Sequence, residues 1–475
     1  MKIQFCGAAQ TVTGSCYYIE SESTKFLVDC GAYQGPQEIE DKNRDPFPFD
    51  PSKLDYVFLT HAHFDHCGRL PILVKQGFRG RVISTQPTRD LARIVLLDAA
   101  NLQQEDFERW EARVKERTEK DPEYQDKETA VEKEPLFTEQ DVEEAMSLFE
   151  VYPYGNSVDL HNGCEFRMRD SGHILGSCMF EIWVNTEAGR HRKIVFSGDL
   201  GQPGARIVRD PDMIREADYV VCESTYGNRI HRNRDETVLE FLSIIKEAQK
   251  DEGNILIPSF AIERTQEILY EINLFIENRL ISGLPVYLDS PMASKATEVF
   301  RKYPNFYDED ARRLMDKGDD PFDFPSLHKT DAVEESKRLV SKRGIAIIAG
   351  SGMCNGGRII HHLRNNIESR KTHIIFVGYQ VEGTLGRKIL EGEPIVKIFG
   401  QDFENNAISH TLGGFSAHGD KEDLKYWLRS FGHTPKQIFI THGDTEIANE
   451  FAQEIANELG IETLVPDLYD EVKLK

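Results

Sequence analysis

The sequence predicts an α/β protein in which a domain of stacked, short-stranded sheets is interrupted by a second domain built on a parallel sheet. Three observations predict it. Over the first 200 residues, short apolar runs alternate with turns, the density expected of stacked sheets. From about residue 209, apolar runs are each followed by a helical pattern, the rhythm of parallel strands with crossover helices. Beyond about residue 397 the short-strand style returns. A chain of 475 residues is in any case too long for one ordinary core. The organisation read from this is a first domain over 1–208 and 398–475, with an inserted domain over 209–397.

The strand-like runs of the first part are "KIQFCG", "SCYYIE", "KFLVDCG", "YVFLT", "RVIST", "EFRMRDSG", "FEIWV" and "KIVFSGD". Helical patterns fall at about 69–77, 88–119 and 139–149. The acidic stretch 121–146 reads as a solvated helical insertion. In the inserted domain, "NILIPSF" precedes "AIERTQEILYEINLFI", and "PVYLDSP" precedes "MASKATEVFRKY". "GIAIIAGSGM" precedes "GGRIIHHLRNNI", and "HIIFVGYQVEG" precedes "TLGRKIL". "IVKIFG", "AISHTLGGF" and "QIFITHGD" mark the return of the first domain.

Composition excludes several classes. A formal net charge of −23 argues against a protein that coats nucleic acid through a basic surface. No apolar run approaches the roughly 18 residues of a spanning helix, and the N-terminus has no long apolar segment of a secretory leader. The eight cysteines include no CxxC pair, and several sit in apolar runs. Buried reduced thiols, and hence a cytoplasmic protein, are the expectation.

The chemistry concentrates at "YVFLTHAHFDHCGRLP", where three histidines and an aspartate fall within residues 61–66, directly after an apolar strand. A strand end is a rigid mount, and the following turn can aim several side chains at one point. His61 and His63 can meet one ion, while Asp65 and His66 can face a second close by. Further ligand-type residues stand where other apolar runs break: Asp29 in "FLVDCGAYQG", His173 in "RDSGHILGS", Asp199 in "KIVFSGDLG" and His442 in "QIFITHGDT". A histidine in such a setting is ordinarily structural; the conjunction points to metal.

"HAHFDH" resembles the HxHxDH signature of the metallo-β-lactamase superfamily, whose fold is an αββα sandwich. The inserted domain, Glu223 in "VVCESTYGNR", His418 in "GGFSAHGD" and His442 in "THGD" narrow the resemblance to the β-CASP nucleases, among the bacterial and archaeal relatives of the pre-mRNA 3′-end cleavage endonuclease. The resemblance implies two zinc ions, the first held by His61, His63, His173 and Asp199. The second would be held by Asp65, His66, Asp199 and His442, with Asp199 shared. It further implies His418 as general acid, Glu223 as the carboxylate that orients it, and Asp29 as a hydrogen-bond partner of a ligand histidine. Asp65 counts with the catalytic group as well as with the ligands. Iron also fits these ligands.

The activity implied is hydrolysis of single-stranded RNA, by endonucleolytic or 5′-exonucleolytic cutting. Two zinc ions would activate water and offset phosphate charge, which reconciles an acidic chain with a polyanionic substrate. The small residues Ser416 and Ala417, just before His418, let backbone N–H groups approach a phosphate. Arg358, in "GSGMCNGGRIIHHL", is a further phosphate candidate, whereas His361 and His362 read as structural. "SFAIERTQE" and "DSPMA" read as wall segments without chemistry. The inserted domain is expected to wall a narrow cleft.

Three other readings fit the sequence less well. A small ester or thioester needs no inserted clamp. DNA-processing β-CASP members lack the histidine that stands here at His442, and a non-catalytic scaffold need not keep every motif. The chain ends about 30 residues after His442, too soon for the extra C-terminal domain of ribonuclease J. A homodimer is compatible with the sequence, and no membrane contact is expected.

Overall fold

The structure is a computed structural model that describes residues 1–121, 129, 133–185, 191–431 and 435–474. The chain divides into two compact units: Met1–Leu200, Pro211–Arg229 and Asp420–Lys475 form the first, and Gly201–Asp210 with Ile230–Gly419 the second.

The first unit holds two seven-stranded sheets. One is ordered Glu471–Lys473, Lys2–Phe5, Tyr17–Glu20, Lys25–Val28, Tyr56–Phe58, Arg81–Ser84 and Phe149–Val151. The other is ordered Glu462–Leu464, Gln437–Thr441, Tyr219–Glu223, His191–Phe196, Cys178–Asn185, Cys164–Asp170 and Ser157–Asp159. Period-2 alternation is clearest in Cys164–Asp170, where every second residue is buried. The inward faces of both sheets make one core, in which Phe58 meets Phe166 at 5.4 Å and Phe180 at 5.2 Å between ring centroids. Such edge-to-face pairs add about 0.5–1.5 kcal/mol each beyond burial. Helices Lys421–Arg429 and Thr445–Leu459 cover the outer face of the second sheet through Leu424, Trp427, Phe451 and Ile455. Leu70–Lys75, Gln86–Lys120 and Glu139–Met146 supply the predicted helices of the first part. Part of the acidic stretch 121–146 lies outside the described residues.

In the second unit, six strands form a fully parallel sheet ordered Leu327–Lys329, Val286–Leu288, Ala346–Ala349, Ile255–Pro258, His373–Phe376 and Ile408–Thr411. All four strand–helix pairs read from the sequence are present, including Ile255–Pro258 with Arg264–Glu277 and Ala346–Ala349 with Arg358–Asn366.

The expected junctions are 209 and 397; in the structure Gly201–Asp210 already belongs to the second unit, Pro211–Arg229 returns to the first, and the second unit then runs from Ile230 to Gly419. Two strands explain why. Tyr219–Glu223 pairs in parallel with His191–Phe196 and Gln437–Thr441, so it continues the first unit's sheet. Ile408–Thr411 pairs in parallel with His373–Phe376 and extends the second unit's sheet, while Ile395–Ile398 and Gln401–Glu404 form a separate antiparallel ribbon. A short strand does not announce which sheet it joins.

The eight cysteines are all buried and free. No described helix is long and apolar enough to cross a membrane.

Candidate metal centre

Parallel strands bring the site together. Cys164–Asp170, His191–Phe196, Tyr219–Glu223 and Gln437–Thr441 all run the same way within one sheet. Their C-terminal ends therefore lie along one edge, and His173, Asp199, Glu223 and His442 stand at or just past those ends. From the other sheet, the parallel pair Lys25–Val28 and Tyr56–Phe58 delivers Asp29 and the 61–66 turn.

That turn is stitched to its neighbours by backbone hydrogen bonds. Cys30 N donates to His66 O at 2.9 Å, Ala32 N to Phe64 O at 3.0 Å and Ser15 N to Asp65 O at 2.8 Å. Gly31 is required there, because a Cβ at this position would lie 1.5 Å from the Asp65 carbonyl oxygen. Asp29 and His442 both adopt positive φ, 61° and 50°, a conformation that non-glycine residues hold only where surrounding contacts enforce it.

Among the described residues of the first unit, the ligand-type atoms fall into two groups. Donor atoms of His61, His63, His173 and Asp199 all lie within 4.8 Å of one another, and so do those of Asp65, His66 and His442. In the first group, His63 Nδ1 lies 3.1 Å from both His61 Nε2 and His173 Nε2. One proton on His63 Nδ1 can serve only one of those contacts. Nitrogens bound to a common zinc at about 2.0–2.1 Å in tetrahedral geometry stand about 3.3 Å apart, so the spacing fits coordination. In the second group His66 Nε2 and His442 Nε2 are 3.1 Å apart, with Asp65 Oδ2 at 3.3 Å from His442 Nε2.

Asp199 faces both groups with different oxygens. Its Oδ2 is 3.4 Å from His61 Nε2 and from His173 Nε2, while its Oδ1 is 3.4 Å from His66 Nε2. Asp29, Asp65 and Asp199 thus surround His66 with carboxylates. Burial lowers the basicity of that imidazole, but Asp199, Asp29 and Asp65 together outweigh it and hold its pKa well above the usual value. His61, whose burial is reinforced by neighbouring imidazoles, is pushed well below the usual value. Three carboxylates clustered with five imidazoles form a donor set that suits dications.

Residues behind the ligands fix their orientation. Asp29 Oδ2 is 2.7 Å from His66 Nδ1, which leaves Nε2 aimed at the second group. Asp29 is itself held by Thr60, whose N donates to Oδ1 at 2.8 Å and whose hydroxyl donates to Oδ2 at 2.9 Å. Thr225 Oγ1 lies 3.1 Å from His442 Nδ1. Glu223 is buried and accepts from Leu200 N at 2.6 Å. The sequence reading missed Thr60 and Thr225. Thr60 immediately precedes "HAHFDH" and was the better placed of the two to be found.

Comparison with known proteins finds three described domains along the chain. The metallo-beta-lactamase superfamily profile matches residues 10–145, the Beta-Casp domain profile 265–389, and the profile of a Zn-dependent metallo-hydrolase RNA specificity domain 406–466. Ribonuclease TTHA0252 of Thermus thermophilus is 36% identical over 447 residues, covering 94% of each chain. The chain belongs to the β-CASP ribonuclease family of the metallo-β-lactamase superfamily. This β-CASP protein is also 30% identical to Transcription termination factor FttA of Methanococcus maripaludis, over 100% of its own length and 72% of that relative. A crystal structure of a protein of unknown function from Enterococcus faecalis matches its fold with a TM-score of 0.56 at 12% identity, covering 100% and 99% of the two chains.

The remaining expected site residues of this β-CASP protein lie in its second unit. Ser416 shapes the turn that carries His418: its hydroxyl donates to His418 O at 3.0 Å and accepts from His418 N at 3.2 Å. His231 Nε2 lies 3.1 Å from the same carbonyl. Ala417, between them, is half-buried. Arg358 requires a correction. Its Nη1 donates to Asp289 Oδ1 and Thr330 O, and its Nη2 to Asp331 O, each at 2.7 Å. The guanidinium is turned inward to a buried carboxylate, so the phosphate role expected of Arg358 is withdrawn. His362 binds the other oxygen of Asp289 at 2.6 Å, a structural role as the sequence reading expected.

Proposed function

We propose that this chain is a zinc-dependent ribonuclease that hydrolyses phosphodiester bonds of single-stranded RNA. The observation that carries the reading is the pair of donor groups joined through the two oxygens of Asp199. Zinc as the metal is supported by the imidazole-rich donor set and by the Zn-dependent description of a matching domain. RNA as the substrate is supported by that domain's RNA specificity and by relatives named as a ribonuclease and as transcription termination factors.

His61, His63 and His173 would hold one ion, and Asp65, His66 and His442 the other, with Asp199 offering one oxygen to each. When bound, the two ions lower the pKa of attacking water and offset the charge that develops on phosphorus. Asp29 holds the proton on His66 Nδ1, which keeps Nε2 available as a donor atom. His418 is assigned the proton for the leaving ribose oxygen. Glu223 is assigned the carboxylate that keeps His418 in its donating tautomer. Both roles, and phosphate contact by the Ser416–Ala417 turn, rest on family motif positions.

Burial favours a single strand. His61, His66, His173, Asp199 and His442 are all buried, and only His63 and Asp65 of the ligand set are half-buried. A phosphate must be brought into a recess, which a flexible strand can do and a rigid A-form duplex resists. The test is to compare an end-labelled oligoribonucleotide with the same strand annealed to its complement. The free strand should be cut much faster; equal rates would refute the single-strand preference. The ladder of labelled products also separates internal cutting from trimming at the 5′ end.

A further inference from the structure

Within the second unit, Ile255–Pro258 lies between Ala346–Ala349 and His373–Phe376. The chain leaving Ile255–Pro258 passes through helix Arg264–Glu277 to Val286–Leu288, on the far side of Ala346–Ala349. The chain leaving Ala346–Ala349 passes through helix Arg358–Asn366 to His373–Phe376, on the opposite side of Ile255–Pro258. Right-handed crossovers in opposite directions place these two helices on opposite faces of the sheet. The loops after the two adjacent strands therefore part, and the crevice between them is where open parallel sheets bind ligands.

Phe260 sits at this crevice and is 45% exposed, although the residues around it in the loop are buried. The Phe260 backbone is pinned, since its carbonyl accepts from Thr265 Oγ1 at 2.7 Å. Its ring lies on glycine: a Cβ on Gly352 would come within 2.9 Å of two ring carbons, and one on Gly378 within 3.8 Å. The two glycine loops are tied together by Gln380, whose Nε2 donates to Gly352 O at 3.0 Å and Gly378 O at 3.2 Å. Tyr379, next to that tie, is 46% exposed. An exposed aromatic side chain, held along its Cδ2–Cε2 edge by a locked glycine floor, offers π surface to a ligand. Isolated rings of this kind do not make the broad contiguous patch of a protein interface.

We propose that Phe260 is a stacking platform for one unpaired base of the RNA strand, an inference that rests on RNA being the substrate. Stacking on an aromatic ring tolerates any base, since every base has a π face. The platform would thus add affinity without sequence preference.

The test measures KM and kcat on a single-stranded oligoadenylate with zinc-loaded, full-length protein. Phe260→Ala and Phe260→Leu should both raise KM by about 5- to 150-fold and keep kcat, and Phe260→Tyr should restore the wild-type KM. Abasic riboses are then introduced into the strand one position at a time. One position should penalise the wild type and leave Phe260→Ala indifferent. Wild-type KM in Phe260→Ala or in Phe260→Leu, or equal abasic penalties in both proteins, would overturn the proposal. So would a changed oligomeric state of Phe260→Ala at unchanged KM, which would mean that the ring meets a second copy of the chain. Failure of the wild type to cleave RNA would instead remove the RNA reading itself.

Discussion

Asp199→Asn is expected to strip the chain of metal and of RNA cleavage together. Asparagine keeps the shape of the side chain but has one acceptor oxygen and no charge. It can serve the group at His61 and His173 or the group at His66, which Asp199 reaches with separate oxygens, but not both. Removing a residue behind a ligand typically costs about 10–100-fold in metal affinity, and losing a shared anionic ligand should cost more. Elemental analysis after gel filtration should find the wild type with about two zinc ions per chain and the variant with fewer than one. Full metal content in Asp199→Asn would mean that Asp199 is no ligand.

His418→Ala should separate binding from chemistry. His418 is carried by the second unit, whereas the expected ligands all lie in the first. The variant should keep its zinc and its affinity for single-stranded RNA, and lose about 10²–10⁴-fold in cleavage rate, the usual contribution of a general acid. Loss of zinc from this variant would contradict the assignment. The alkaline limb of the pH–rate profile gives a second readout. It should vanish with the imidazole, because an acid donates only below its own pKa.

The candidate metal cluster was legible because its residues break the pattern around them. Four ligand-type side chains at a strand end, and single His or Asp residues where further apolar strands stop, have no packing rationale. In the folded chain, strands that run the same way line these positions up along one edge of each of two sheets. Thr60 and Thr225 were not legible, since threonine is common at strand ends and only the observed hydrogen bonds to Asp29 and beside His442 distinguish them. Arg358 misled for a related reason. A glycine-rich turn with an arginine looks alike whether the guanidinium faces solvent or a buried carboxylate, and Asp289, fully buried in the observed fold, gives no such sign in "LDSPMA". The junctions near 209 and 397 slipped because the hydrophobic pattern marks a strand and leaves its sheet unspecified. Phe260 escaped notice because its exposure depends on Gly352 and Gly378, remote in sequence and adjacent only in the folded sheet.

The most direct test of the account is a zinc titration of chelator-stripped protein, read by cleavage of an end-labelled single-stranded RNA. The account predicts no cleavage without metal and a rise to a plateau at about two zinc ions per chain. Cleavage that persists in fully stripped protein, or protein that takes up zinc and still leaves RNA intact, would contradict it.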